Sequence, residues 1–331
     1  MTAEAVMTDF SQPLDLGSGF VLPERIILSP MQGVMSPCFA ETLRSLDLAR
    51  VLITPFLSVS AGSVPSLRAL RKLLTPWPAL PGRSMVIVQL MGRDPDSLAE
   101  TAVRLGEIGY PYVNLNFACP SPCVVRAGNG GAVLQDPPLL SRLMERVSRV
   151  AEMNGIALSV KLRTGWHSSA ESKELAGRTA DAGIRFAIVH FRTVEEQYRP
   201  VSDPYERLRF FQNAAGSDLT VFGNGDITSP EDASNMCRTA GCPGVALARG
   251  ILKDPYLLRR IVSGEKMPTQ EENERNRMQF LRELLIHTRE HGGKKWRNGF
   301  LECIRMCFED DTKRFQSLVQ LSDEELQERF S

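Results

Sequence analysis

Eight short apolar runs, rich in β-branched and aromatic residues, recur along the chain at fairly even spacing: 26–30, 51–56, 85–91, 112–117, 157–162, 186–191, 219–223 and 244–248. Most are continuous in hydrophobicity rather than alternating, as parallel strands covered on both faces are. Helix-compatible stretches lie between them and carry start signals. Asp94-Pro95-Asp96 opens 97–108, and Asp136-Pro137-Pro138 opens 139–153. Ser229-Pro230-Glu231-Asp232 opens 233–239 with a serine cap, proline at the first helical position and acids in the first turn. Gly109, Gly155, Gly183 and Gly241 punctuate helix ends. Eight strand-then-helix units over about 235 residues have the size of a (β/α)8 TIM barrel. A doubly wound sheet would ordinarily need fewer strands.

After Gly264 the β-rich runs stop. The pattern predicts helices over 271–290, 298–308, 312–321 and 322–330, the last opened by the capping box Ser322-Asp323-Glu324-Glu325. The expected organisation is therefore α/β: an N-terminal extension over 1–23, a TIM barrel over 24–263 and a C-terminal all-helical domain over 264–331.

Composition narrows the function classes. The chain balances 39 basic against 39 acidic residues, which argues against a protein held to nucleic acid by bulk positive charge. The tail from Gly264 carries 12 Lys and Arg against 14 Asp and Glu, so it is not a basic arm. No apolar run reaches the roughly 18 residues of a membrane span. Met1 to Leu16 contains no Lys or Arg and fits neither a secretory signal nor a transit peptide. Seven thinly spread cysteines do not read as a disulfide framework. A cytoplasmic monomer with reduced thiols is the simplest expectation.

Barrels collect function at the C-terminal ends of their strands, and those ends are polar here. The first run ends in Ser29-Pro30-Met31-Gln32-Gly33, the third carries Gln89, and the fourth ends in Asn114-Leu115-Asn116-Phe117-Ala118-Cys119-Pro120-Ser121. Lys161 and Arg163 lie on the fifth, and His190-Phe191-Arg192-Thr193 ends the sixth. Asn224-Gly225-Asp226 and Ala248-Arg249-Gly250 end the last two. Glycine turns leading into helices after the last two strands suit a phosphate group. Gln89, Asn116 and Lys161 offer amide and ammonium groups to a planar heterocycle, and a cation near a flavin's electron-rich edge would stabilise its reduced form. No G-x-G-x-x-G opens a βαβ unit, so the reading is flavin mononucleotide rather than a dinucleotide.

The run Asn-Leu-Asn-Phe-Ala-Cys-Pro-Ser, followed by Gly128-Asn129-Gly130-Gly131-Ala132 and Asp136-Pro137, resembles the signature of tRNA-dihydrouridine synthases. So do Ser-Pro-Met-Gln-Gly-Val near the start, Val160-Lys161-Leu162-Arg163-Thr164-Gly165-Trp166, His190 with Arg192-Thr193, Gln197-Tyr198-Arg199, Asn224-Gly225-Asp226 and Ala248-Arg249-Gly250. The likeness spans about Glu24 to Ile261 in order, with spacing nearest the bacterial C-type members. It implies that FMN, reduced by NADPH, passes a hydride from N5 to C6 of a uracil ring in tRNA or another structured RNA. By position, Cys119 would protonate C5. Pro30, Met31, Gln32, Gln89, Lys161, His190, Asn224, Gly225, Asp226, Ala248 and Arg249 would hold FMN, and Asn116 and Arg163 would face the uracil. The helical tail would bind the RNA, with Lys294, Lys295, Arg297 and Arg305 as candidate contacts. The chain departs from the family at Phe191, where a small residue is usual, and at Pro122-Cys123, where a basic residue is common.

Each feature has a plainer alternative. A lone cysteine is most often an inert buried thiol; the motif around Cys119 reverses that preference. Cys123 is expected to be incidental or structural, with a disulfide to Cys119 the minor alternative. A lysine inside an apolar strand is costly unless paired, which favours a site role for Lys161. His190 could be a satisfied core histidine, and Gly128 to Gly131 either a flexible loop or a lid. His287 and His291, facing Cys303 and Cys307 across a turn, would suit tetrahedral zinc, but chance placement on helical faces is the better reading and no metal is expected. Two competing functions are an FMN-dependent reductase of a free pyrimidine and a catalytically silent RNA-binding barrel.

Overall fold

The computed structural model describes residues 8–17, 19–78, 85–293, 296–309 and 311–330. Its centre is a closed ring of eight parallel strands: β1 (Ile26–Leu28), β2 (Val51–Ile53), β3 (Met85–Gly92), β4 (Tyr112–Asn116), β5 (Ala157–Arg163), β6 (Phe186–His190), β7 (Thr220–Asn224) and β8 (Val245–Leu247). Each strand pairs with the next, and β8 returns to β1 through Val245↔Ile26 and Leu247↔Leu28. Helices follow the strands around the outside, so the fold is a TIM barrel with a helical C-terminal region.

The start signals act as local chemistry requires. Asp94, Asp136 and Ser229 each accept a backbone N–H three residues on, at 2.8, 3.0 and 3.0 Å, and cap Pro95–Glu107, Pro137–Met153 and Pro230–Ala240. Gly109, Gly155, Gly183 and Gly241 adopt positive φ of 65–92°, which lets the chain turn back toward the next strand.

Inside the ring the side chains alternate with period two, and this alternation builds the site. Ile27, Val51, Ile53, Met85, Ile87, Ala157, Phe186, Ile188, Phe222 and Ala246 form one buried apolar cluster within the barrel. The intervening residues, among them Leu28, Leu52, Val88, Val113, Val160, Val189 and Val221, belong to a second cluster shared with the helices. Continuing the inward positions toward the C-terminal ends gives Ser29, Gln89, Asn114, Asn116, Ser159, Lys161, Arg163, His190 and Asn224.

A two-stranded hairpin, Leu14–Asp15 with Val21–Leu22, joins the apolar end of the barrel. Phe20 at its turn stacks on Tyr112 at 5.4 Å and meets Phe186 edge-on at 5.8 Å, and Phe186 meets Phe222 edge-on at 5.0 Å.

The tail forms helices Gln270–His291, Trp296–Cys307, Thr312–Val319 and Asp323–Phe330. Phe280 packs edge-on against Phe39 of the barrel at 5.4 Å, and Phe300 packs on Phe330 at 5.6 Å. Asn273 and Arg277 both donate to the carbonyl of Lys253, at 3.0 and 2.9 Å, and tie the tail to the turn after β8. Lys294 and Lys295 lie outside the described residues. Arg297 pairs with Asp323 and Arg305 with Glu302.

Candidate active site

A cavity of about 780 Å³ opens at the C-terminal ends of the strands. Pro30, Met31, Gln32, Gln89, Asn116, Cys119, Lys161, Arg163, His190, Asn224, Gly225, Asp226, Ala248 and Arg249 all line it. Eight strand ends converge on one mouth, so residues up to 219 positions apart in sequence become neighbours.

Cys119 sits where β4 leaves the barrel. Asn116 Oδ1 accepts the N–H groups of Ala118 and Cys119 at 3.0 and 3.1 Å and folds the turn back on itself. The glycine run is packed behind this turn: Gly131 N–H donates to the Cys119 carbonyl at 3.0 Å, and a Cβ on Gly130 would lie 2.9 Å from that of Cys119. Burial pushes the thiol's pKa up, against the opposing pull of the Ser121 N–H, Lys161 and Arg163. Cys119 is therefore a protonated thiol at neutral pH. Cys123 is exposed beside it, with its sulfur 3.3 Å from Ser121 Oγ.

Cations surround this acid. The Lys161 ammonium donates to Asn224 Oδ1 at 2.9 Å, and burial, helped by Arg163, pulls its pKa down to about 7. Arg163 is buried and spends its N–H groups on backbone carbonyls: Ala118, Thr193 and Gln197, each at 2.8 Å. Gln197 takes φ 52° to present that carbonyl. His190 is neutral, because burial among four cationic neighbours drives its pKa well below the usual value. Its Nδ1 accepts the Arg192 N–H at 3.1 Å, which leaves the proton on Nε2.

A strut anchored on the buried Arg192 links the last three strand ends. Arg192 grips both carboxylate oxygens of Asp226, at 2.9 and 2.5 Å, and donates Nε to the Arg199 carbonyl. Asp226 in turn stands 3.7 Å from Arg249, whose guanidinium lies over the Tyr198 ring at 4.9 Å. Phe191 occupies the space where any Cβ on residue 225 would stand, so that position requires glycine. The helix after β7 is capped by Ser229, and Asp232 accepts from Thr228 there, so its start is already satisfied. The turn Ala248-Arg249-Gly250 also lines the cavity, with Arg249 held between Asp226 and Tyr198.

The donor set fits a flavin mononucleotide. Lys161 has three protons and one acceptor among the described residues, and Ser29 Oγ is buried on the cavity wall with no partner. Both could bond the polar atoms of such a group. Sequence reasoning missed Met306 and Glu309, which the tail contributes to the cavity wall, together with Phe56, Thr228 and Lys253. Only the docking of the tail on the barrel brings the first two there. The His–Cys quartet does not assemble: the His291 side chain is 69% exposed, Cys303 and Cys307 are buried, and no group of three or more candidate ligands gathers among the described residues.

A polar, cationic mouth on a (β/α)8 barrel with an embedded acid defines a cofactor-dependent enzyme of the barrel class. The sequence profile of the dihydrouridine synthase family (Dus) matches residues 27–322, and the chain belongs to that family. It is 32% identical over 251 residues to the tRNA-dihydrouridine(16) synthase of Escherichia coli (strain K12), covering 75% of this chain and 78% of the relative. It is 30% identical over 254 residues to tRNA-dihydrouridine synthase B of Pseudomonas aeruginosa, covering 75% and 73%. Solved structures of similar fold include the old yellow enzyme from Trypanosoma cruzi (TM-score 0.55, 12% identity, 80% of this chain and 95% of that one). Histamine dehydrogenase from Rhizobium sp. 4-9 is another (TM-score 0.59, 15% identity, 84% and 51%). Among the described residues no helix is long and apolar enough to cross a membrane.

Proposed function

We propose that the protein reduces the C5=C6 bond of uridine in tRNA, with FMN as cofactor, NADPH as electron source and Cys119 as proton donor. The observation that carries this reading is the Cys119 thiol: half-buried, protonated, and fixed beside Lys161 and Arg163 in a cavity large enough for two stacked rings. Reduced flavin, when bound, supplies the hydride that goes to C6. Cys119 Sγ–H then gives its proton to C5, and the resulting thiolate is stabilised by the two neighbouring cations until solvent reprotonates it.

Lys161, Gln89, Asn224, the neutral His190, Pro30, Met31 and Gln32 would hold the cofactor's heterocycle. Gly225, Asp226, Ala248 and Arg249 would hold its phosphate end, with Asp226 itself gripped by Arg192. Asn116 and Arg163 face the uracil. A base paired in folded RNA must be extruded to reach this depth. The thiol must stay reduced, which suits the cytoplasm.

The test is direct. Purified protein loaded with FMN should be bleached by NADPH and reoxidised by uridine-containing tRNA, with dihydrouridine mapped in the product. Cys119→Ala should keep FMN and lose dihydrouridine formation by about 10²–10⁴-fold. Undiminished turnover in that variant contradicts the acid role, and a protein that takes up no FMN contradicts the whole reading.

A further inference from the structure

We propose that Asn114 and Ser159, two side chains buried beneath the cavity, are positioning residues that lock the amides of Gln89 and Asn116 in a single orientation; the inference rests on the flavin and uridine reading above. Gln89, Asn114 and Ser159 are completely buried and Asn116 nearly so. They form one hydrogen-bonded chain. Ser159 Oγ donates to the Val113 carbonyl at 3.3 Å, because a carbonyl can only accept. The same oxygen accepts from Asn114 Nδ2 at 2.9 Å. Asn114 Oδ1 accepts from Gln89 Nε2 at 2.7 Å, and Gln89 Oε1 accepts from Asn116 Nδ2 at 2.9 Å. At the top, Asn116 Oδ1 takes the N–H groups of Ala118 and Cys119, which can only donate.

The Ala118 and Cys119 N–H groups fix the direction at the top, and Ser159, donating to the Val113 carbonyl, agrees with it at the bottom. No amide between them can flip without setting donor against donor or acceptor against acceptor, and a buried polar atom left unpaired is costly. The lock has a chemical consequence. Asn116 Oδ1 already holds two donors, so the side chain shows the cavity only an N–H. Such a donor meets a ring carbonyl and refuses an amino group, so facing C4 it would accept uracil and reject cytosine.

Asn114 is the middle link, and its required contribution is an acceptor for Gln89. Aspartate keeps that acceptor: burial holds its carboxyl protonated, so one oxygen accepts from Gln89 and the O–H donates to Ser159 Oγ as the amide does. Leucine keeps the shape and removes the acceptor. We therefore compare Asn114→Asp and Asn114→Leu for FMN affinity by flavin fluorescence quenching, for the absorption spectrum of bound flavin, and for kcat and KM with tRNA. Asn114→Leu should weaken FMN binding about tenfold or more, shift the bound-flavin spectrum and lower kcat with KM for tRNA unchanged. Asn114→Asp should stay within about threefold of the parent. If the two variants behave alike, or if the leucine variant binds FMN with parental affinity and spectrum, the proposal is overturned.

Should the leucine variant fail to fold, Ser159→Ala reads the same chain from its far end. A loss of about threefold in FMN affinity supports the lock, and parental affinity overturns it. Failure of the functional reading is separable. If the parent takes up no FMN, the apoprotein still reports the lock through a Tm about 3 °C or more lower in Asn114→Leu than in Asn114→Asp, and equal Tm values overturn it.

Discussion

The two halves of the barrel interior are built by the same eight strands and the same period-two alternation, yet they do opposite work. In the lower half the inward positions are Ile27, Val51, Ile53, Met85, Ile87, Phe186, Ile188 and Phe222, which pack on one another and on the Phe20 hairpin. In the upper half they are Gln89, Asn114, Asn116, Lys161, Arg163, His190 and Asn224, each held by hydrogen bonds. The lower half earns stability by excluding water. The upper half gives stability up, because it half-buries a lysine whose pKa falls to about 7 and buries a histidine kept neutral. A protein that needed only to fold would have continued the apolar layers upward.

Lys161→Met would break this contrast most strongly. It turns the upper layer apolar and removes a buried ammonium. At or below neutral pH the variant apoprotein should gain up to about 5 kcal/mol, read by urea unfolding. The sign follows from the depressed pKa: between about 7 and 10.5 the unfolded chain holds more protons than the folded one, so the parent regains stability as pH rises through that window. The variant should lack that rise, and its FMN affinity should fall by at least about 100-fold, as loss of a buried charge partner does. A destabilised variant would mean that Lys161 is satisfied within the apoprotein.

Phe222→Ala probes the lower half. Deleting this ring should cost about 3–5 kcal/mol, measured by denaturation, while FMN affinity of the folded fraction stays near the parent's. A selective loss of FMN binding would show that the layers are not independent.

Glu24→Gln sharpens the picture at the bottom rim. Burial raises the Glu24 carboxyl to about 7, against the opposing pull of Arg50. The unfolded chain releases this proton near 4.5 and the folded one near 7, so parental stability falls across that window and stays low above it. The glutamine variant should flatten this decline and, at pH 8, gain up to about 3 kcal/mol. Identical pH profiles would remove Glu24 as the cause.

Much of this was legible beforehand, for identifiable reasons. The strands announce themselves because burial on both faces leaves continuous apolar runs, and all eight appear within a few residues of their predicted bounds. Asp94, Asp136 and Ser229 mark helix starts because capping is a contact within one turn. The polar residues at strand ends stood out against that apolar background, and those named for cofactor, uracil and proton line one cavity, whereas Asn114, Arg192 and Thr193 lie behind its wall. Asn114 and Ser159 carried a weaker signal: the alternation points them inward, but small polar residues in strands do not reveal what they bond.

By itself, then, the sequence determined where strands and helices form, which residues carry chemistry, and that Cys119 and its neighbours belong to a dihydrouridine synthase pattern. These depend on local propensity, capping and period, all encoded within a few residues. Only the tertiary structure decided what each polar group does with its protons. The direction of the Gln89–Asn114–Asn116 chain, the grip of Arg192 on Asp226, the protonation of Cys119 and Lys161, and the arrival of Met306 and Glu309 at the cavity wall are set by distance and burial. Those quantities exist only once segments far apart in the chain have met.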